Sequence, residues 1–282
     1  MKNRIAIIAC ATVVLLFCSC ADPLKAKPPY WYNGYVYGTR AAEFFAEGKL
    51  TSALAFYKKG LDQAEVHDLP EQAAQYRFNI GRCLLELDKY DSASACFAAA
   101  HREFFLCGKE TQSRQAAGFA ALSLSAAGEA DSAFAWYKLG AITPKTTPDK
   151  TFWLMVHGRL AWARDHSKDA LAYLDEAYDL YKKEKSWHGA AEACFARAKV
   201  YLYFGEYDQA AGLLDEALAL GDKTKLRFDR WRILLAASAA SSCVKNEDKA
   251  RWFYDRAAKS MAEGKKVPPR DSVAVCRKEV PW

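Results

Sequence analysis

The chain has 282 residues, of which 51 % are hydrophobic, and it carries a formal net charge of +6. This composition excludes a disordered chain, and the mild basic excess, without any run of five like charges, gives no support for nucleic-acid binding. Alanine is frequent, prolines are few and long alternating β-branched runs are missing from the sequence, which favours an all-α fold of closely packed helices.

The N-terminus has the pattern of an export signal. Lys2 and Arg4 precede an apolar run at 5–17, which is short for a membrane span. The following Ser19-Cys20 pair resembles the lipobox of bacterial lipoproteins, with Cys20 as the acylated residue. We therefore expect a lipoprotein signal peptide at 1–19 and a lipidated cysteine with its spacer at 20–33. A plain cleaved signal and an uncleaved signal anchor are the alternatives.

The lipobox resemblance also implies a location. Acyl chains such as palmitate on Cys20 would anchor the protein durably in a membrane. The residue after Cys20 is Ala21 rather than an aspartate. By the same resemblance, this suggests the outer membrane of a bacterial cell envelope.

One sequence pattern with helical spacing occurs six times along the rest of the chain. Its marker is a small residue that falls at six positions: Ala53, Ala93, Ala133, Ala170, Ala210 and Ala250. In every copy a large apolar residue stands four positions later, and small residues stand seven positions later and twelve positions earlier. Small residues at these places would let the two antiparallel helices of a hairpin approach closely.

Six copies that obey the same positional rules resemble the tetratricopeptide repeat (TPR) family, over residues 34–264. The resemblance implies a right-handed α-solenoid of about six antiparallel helix hairpins, with long repeats of about 40 residues. The turn glycine of the family is present in three hairpins and is replaced in the others by Asp88, Asp165 and Lys245.

Two segments interrupt the repeat pattern. Residues 143–149 contain two prolines, separate the third repeat from the fourth, and form the candidate hinge. The C-terminal tail, 265–282, has no helical period, and we expect it to cover the exposed face of the last repeat.

The sequence offers no catalytic motif. It lacks a phosphate-binding loop, a nucleophile elbow and an HExxH pair, and its histidines lack metal-ligand spacing. We expect no enzymatic activity, no metal and no cofactor. We interpret the cysteines after the lipobox as buried thiols, with a Cys83–Cys96 or Cys96–Cys107 disulfide as the alternative in an exported chain. These cysteines are Cys83, Cys96, Cys107, Cys194, Cys243 and Cys276.

The family resemblance also locates a binding surface, because the first helix of each TPR hairpin lines a concave groove. Mapped onto this sequence, the partner-binding residues are Phe78, Arg82, Phe152, Met155, Arg159, Trp162, Phe195, Lys199, Tyr203 and Arg232. Rings supply contact area and arginine binds carboxylates in a fork, so such a groove suits a peptide with an acidic group. The alternative is that the long helices bury these rings as core.

The leading hypothesis is therefore a lipid-anchored scaffold that binds a protein or peptide partner in the cell envelope. A periplasmic accessory of a solute uptake system, which would bind a small ligand, is the first alternative. A regulator of a cell-wall enzyme is the second.

Overall fold

The computed structural model describes residues 29–141, 146–165, 168–224, 230–261 and 268. The predicted signal peptide, Cys20 and most of the tail therefore lie outside the described residues. The described ranges form twelve helices and no strand: α1 (Pro29–Ala46), α2 (Leu50–Val66), α3 (Pro70–Glu86), α4 (Tyr90–Leu106), α5 (Glu110–Ala126), α6 (Ala130–Gly140), α7 (Thr147–Asp165), α8 (Ala170–Lys183), α9 (Trp187–Phe204), α10 (Tyr207–Gly221), α11 (Arg230–Cys243) and α12 (Glu247–Ser260).

These helices form an array of six hairpins. Each odd-numbered helix packs against the next even-numbered one, and each hairpin packs against its successor. Hairpin one is α1–α2, and the numbering continues to hairpin six, α11–α12. The all-α fold and the hairpin solenoid predicted from the repeats are confirmed. None of the described helices is long and apolar enough to cross a bilayer.

Glycines close the hairpins where the repeat spacing predicts small residues. A Cβ placed on Gly81 in α3 would lie 2.9 Å from the ring of Phe97 in α4. A Cβ on Gly158 in α7 would lie 2.7 Å from Leu174 in α8. In both hairpins the small residue twelve positions before the marker thus meets the large residue four positions after it. A larger side chain would force the two helices apart.

The small residue seven positions after the marker packs against the next hairpin. A Cβ on Gly60 would lie 2.7 Å from the ring of Tyr76, and one on Gly140 would lie 2.3 Å from Trp153. Both rings belong to the first helix of the following hairpin. One repeated sequence pattern therefore provides both the close packing within each hairpin and the packing of that hairpin on the next.

Left-handed residues end the first helix of the hairpins. The φ angles are 77° at Gly48, 87° at Gly128 and 77° at Gly205. Asp88 and Lys245, which replace glycine, adopt the same conformation with φ of 58° and 59°. Side chains with a Cβ are strained there relative to glycine. The turn of hairpin four, after Asp165, lies outside the described residues.

A buried ion pair joins the two sides of the candidate hinge. Arg114 Nη1 in α5 lies 2.9 Å from Asp149 Oδ2 in α7, and both side chains are buried. Arg114 Nε also donates to the carbonyl oxygen of Gly140 at 2.8 Å, and Trp153 Nε1 donates to Asp149 Oδ1 at 3.1 Å. Because α6 ends at Gly140, α5 also contacts α7 directly. Hairpins three and four are thus tied together across this segment.

The array curls far enough for hairpin six to contact hairpin two. Arg232 Nη1 in α11 lies 3.0 Å from Glu86 Oε2, and its Nη2 lies 3.6 Å from Asp88 Oδ1. On the second helix of the same last hairpin, the hydroxyl of Tyr254 donates to the carbonyl oxygen of Pro268 at 2.7 Å. This contact joins the described tail residue to the last helix.

The described cysteines are all free thiols. Cys83 and Cys194 are buried, whereas Cys96, Cys107 and Cys243 are partly buried. Burial raises the pKa of the Cys83 and Cys194 thiols to about 12 in each case. Such thiols are poor nucleophiles at neutral pH, which agrees with their interpretation as small core residues. Cys276 lies outside the described residues.

Candidate functional site

The curled array encloses a cavity on its concave side. The cavity has a volume of about 220 Å³, and side chains of hairpins two to six line it. Its apolar wall includes Leu85, Phe119, Phe152, Met155 and Phe195. Five of the six hairpins thus meet at one site, which a linear array could not form.

Arginines of three different hairpins converge on this cavity. Arg82 comes from α3, Arg159 from α7 and Arg232 from α11, and the carboxylates of Glu86 and Glu192 line the same space. Arg232 pairs with Glu86, as described above. Three guanidinium groups therefore share an apolar-walled cavity with two carboxylates. This surplus of positive charge favours an anionic group as occupant.

Lys199 is a buried amine that interacts electrostatically with two of these arginines, Arg159 and Arg232. Its side chain is buried, with the ammonium nitrogen 5.5 Å from the ring centroid of Phe195. Burial, together with repulsion by Arg159 and Arg232, holds the pKa of Lys199 well below its usual range. An anion that entered the cavity would offset this repulsion.

Six of the ten residues predicted for the groove line the cavity: Arg82, Phe152, Met155, Arg159, Phe195 and Arg232. The prediction placed them there because they lie on the first helices of their hairpins. Their convergence on one cavity depends on how strongly the array curls.

Trp162 and Phe78, two further rings predicted for the groove, do not line the cavity. Trp162 is buried in the core between hairpins four and five, where its indole packs edge-on against Tyr203 at 5.0 Å between ring centroids. Phe78 packs edge-on against Phe97 and Phe119, at 5.4 and 5.3 Å. Trp162 is therefore part of the core, whereas Phe78 and Tyr203 are only partly buried.

The sequence analysis missed several lining residues, among them Tyr181, His188 and Glu192. His188 and Glu192 precede Phe195 on α9 by seven and three residues, so they lie on the same face of that helix. Helical spacing from Phe195 could have identified them. Tyr181 lies on α8, a second helix, and the rule that only first helices face the groove excludes it.

A second, uncharged cavity of about 390 Å³ lies in hairpins one and two, mostly along their first helices. Amide side chains at Gln72, Gln75 and Asn79 line it together with the rings of Tyr35 and Tyr57. Amides both donate and accept hydrogen bonds. The first helices therefore present a region rich in amides and a region rich in arginines.

Comparisons with known proteins show the fold. No protein-family model and no curated protein matches the sequence. Among solved structures, the chain is similar to a Rap protein complexed with competence and sporulation factor, with 16 % identity, coverage of 84 % of this chain and 77 % of that one, and a TM-score of 0.62. It is also similar to the Rap conjugation gene regulator of the plasmid pLS20 in complex with the Phr* peptide. The values are 13 % identity, 92 % and 77 % coverage, and a TM-score of 0.68.

A third similar structure carries the repeat name itself. It is a signal transduction ATPase with a tetratricopeptide repeat sensor from Pyrococcus horikoshii, with 14 % identity, coverage of 84 % of this chain and 38 % of that one, and a TM-score of 0.57. These likenesses support the TPR-like solenoid predicted from the six repeated sequence patterns. At such low sequence identities, these similarities establish the architecture of the chain alone. Its activity has to be argued from the residues of the site.

Proposed function

We propose that this protein is a lipid-anchored, TPR-like scaffold of the bacterial cell envelope that binds an acidic peptide or protein segment in its concave groove. One observation carries the binding proposal, namely the convergence of Arg82, Arg159 and Arg232 on a cavity with apolar walls. A carboxylate entering this cavity would meet guanidinium forks in surroundings where water competes weakly.

The uncharged cavity supports an extended ligand. An extended peptide exposes main-chain N–H and C=O groups that need partners when it is bound. Gln72, Gln75 and Asn79 can supply both donors and acceptors. The proposed ligand therefore carries an acidic group for the arginine cavity and an uncharged stretch for the amide cavity.

The similar Rap structures lend further support. One is a complex with competence and sporulation factor, and the other is a complex with the Phr* peptide. Competence and sporulation factor and the Phr* peptide are ligands of those Rap proteins. For this chain, they support the proposal that a curled hairpin array of this size holds a peptide.

The membrane anchor is proposed from the sequence. The basic head, the apolar run and Ser19-Cys20 support acylation of Cys20, and Ala21 supports the outer membrane. We expect Cys20→Ser to release the protein from membranes and to abolish acyl labelling. Acyl labelling that persists in this variant would refute the assignment of Cys20.

The groove is tested by reversing one charge. We expect Arg159→Glu to weaken partner binding by about 30-fold or more. The guanidinium group that would bind a ligand carboxylate is replaced by a carboxylate that repels it, which costs about 2 kcal/mol or more. The control is Arg251→Glu, an exposed arginine on α12 outside the cavity lining. Cross-linked pull-down from native membranes compares both variants with wild type. Retention of every partner by Arg159→Glu at wild-type yield refutes the groove.

A second candidate is binding of a small anion, as in an accessory of solute uptake. The size of the arginine cavity, about 220 Å³, and the Arg232–Glu86 contact across the groove favour it. Pockets for drug-sized ligands span roughly 300–1,000 Å³, so this cavity fits a smaller molecule. A thermal shift with succinate, in a protein that captures no partner, would favour this candidate. Capture of a cell-wall enzyme would instead identify the protein as its regulator.

A further inference from the structure

The three most exposed large apolar side chains among the described residues are Val66, Phe105 and Leu106. Their exposed fractions are 74 %, 69 % and 83 %. All three stand at the C-terminal ends of second helices, in hairpins one and two. Val66 and Leu106 occupy equivalent positions, since each follows its repeat marker by thirteen residues. We call these three residues the edge patch.

Ion pairs hold the two halves of the edge patch together. Arg77 in α3 donates to Glu103 of α4 at 2.5 Å and also to Glu65 of α2. Glu65 directly precedes Val66, and Glu103 lies just before Phe105. A single guanidinium group therefore joins the C-terminal parts of α2 and α4, so Val66, Phe105 and Leu106 lie on the same edge of the array.

Three carboxylates near the edge patch are paired. Arg77 pairs with Glu65 and Glu103, and Lys109 Nζ lies 2.8 Å from Glu71 Oε1. Paired carboxylates repel an anionic surface less than unpaired ones do. Apolar side chains surrounded by such pairs are suited to the boundary between lipid headgroups and acyl chains.

The chain enters the array at the same edge. Helix α1 begins at Pro29 and runs antiparallel to α2, which ends at Val66. The hydroxyl of Tyr76 donates to the carbonyl oxygen of Gly34 at 2.6 Å, which holds the beginning of α1 beside the first turns of α3. Pro29, the first described residue, therefore lies at the edge that carries the edge patch.

The length of chain before Pro29 limits the distance to the anchor. Cys20 stands nine residues before Pro29. A stretch of nine residues spans at most about 30 Å when fully extended. An acyl group on Cys20 would therefore lie within about 30 Å of the edge at which α1 begins.

We propose that the edge patch rests on the lipid surface that holds the anchor, so that the array stands on the edge formed by Val66, Phe105 and Leu106. This inference depends on the proposed acylation of Cys20 and adds to it the orientation of the folded part. The opposite edge, which carries the turns inside the hairpins, faces away from the membrane.

Photo-cross-linking of the full-length protein in its native membranes tests the contact. The photoreactive residue p-benzoylphenylalanine replaces Phe105 in one variant and Trp252 in the other. Trp252 is the matched control, because it is aromatic, 52 % exposed and close to the start of α12, on the opposite edge. We expect at least tenfold more phospholipid adduct at position 105 than at position 252, measured by mass spectrometry. Equal amounts at the two positions, or a protein adduct at 105 in place of lipid, overturn the proposal.

Acyl labelling in the same samples separates the two proposals. An acylated protein that gives no lipid adduct at position 105 overturns the edge patch and leaves the anchor intact. A protein without an acyl label on Cys20 overturns the anchor and, with it, the orientation. Because Phe105 is exposed, its replacement leaves the core unchanged, and the unfolding midpoint of each variant should match that of wild type.

Discussion

Replacing Arg114 by methionine tests whether the buried ion pair locks hairpins three and four together. Methionine keeps most of the apolar stem but removes the charge and all hydrogen-bond donors. Asp149 would then keep the indole N–H of Trp153 as its donor in the contacts described above. The carbonyl oxygen of Gly140 would lose the donor at 2.8 Å.

The expected loss of stability follows from burial. The side chains of Arg114 and Asp149 are only 6 % and 7 % exposed, so water cannot replace the lost partner. Breaking such a buried pair from one side costs about 3–5 kcal/mol, because it leaves an uncompensated charge. We expect the free energy of unfolding of Arg114→Met to fall by this amount.

Urea unfolding followed by circular dichroism measures this loss, provided that the slope of the unfolding free energy against urea concentration stays unchanged. The control is Lys150→Met, since Lys150 and Glu176 form a pair at 2.6 Å whose side chains are about half exposed. We expect this control to cost less than about 1 kcal/mol. A double variant that replaces Arg114 by methionine and Asp149 by leucine should lose less than Arg114→Met alone. If the stability lost by the double variant equals the sum of the losses caused by the two single changes, the ion pair does not hold the hairpins together. Equal losses of stability in Arg114→Met and in the control would lead to the same conclusion.

Three further outcomes follow from single side chains. Lys245→Gly should raise the free energy of unfolding by about 1 kcal/mol, because glycine accepts the left-handed conformation without strain; an unchanged urea midpoint would contradict this. Gly81→Ala should cost about 1–3 kcal/mol through the contact with Phe97, whereas Gly212→Ala, with open space around its Cβ, should gain about 0.5–1 kcal/mol. If both alanine variants shift the midpoint in the same direction, the packing argument fails. Burial and the charge of Arg164 lower the pKa of His157 in the folded state, so stability should fall as pH drops below about 6.5, where the unfolded histidine becomes protonated. His157→Gln should flatten this dependence in unfolding experiments at pH 7.5 and 5.5.

The sequence was sufficient to predict the hairpins because their packing is local. Gly81 meets Phe97 within one hairpin, and Gly60 meets Tyr76 of the next one. Each of these contacts joins helices that are close in the chain, so one repeated sequence pattern encodes it. The same locality explains why Lys245 adopts the turn conformation of glycine despite its side chain.

The composition of the site could be predicted only in part, since it depends on the curl of the whole array. The side chain of Arg159 lines the cavity, whereas Trp162, three residues later on the same helix, is buried between hairpins. Which face of α7 looks inward depends on the angle between successive hairpins, and small differences in that angle accumulate along the array. The approach of Arg232 to Glu86 results from this accumulation, and no short-range pattern in the sequence marks it.

The contact of Arg232 with Glu86 and Asp88 also changes how the array should unfold. In a solenoid whose repeats touch only their neighbours, the terminal repeats can fray one by one. Here the last hairpin is tied to the second by ion pairs, so its detachment also removes a contact of hairpin two. We therefore expect hairpin six to exchange its amide hydrogens together with hairpins two to five, as one cooperative unit. The long loop that this contact closes also raises the contact order, which should make folding slower than in an open array of equal length.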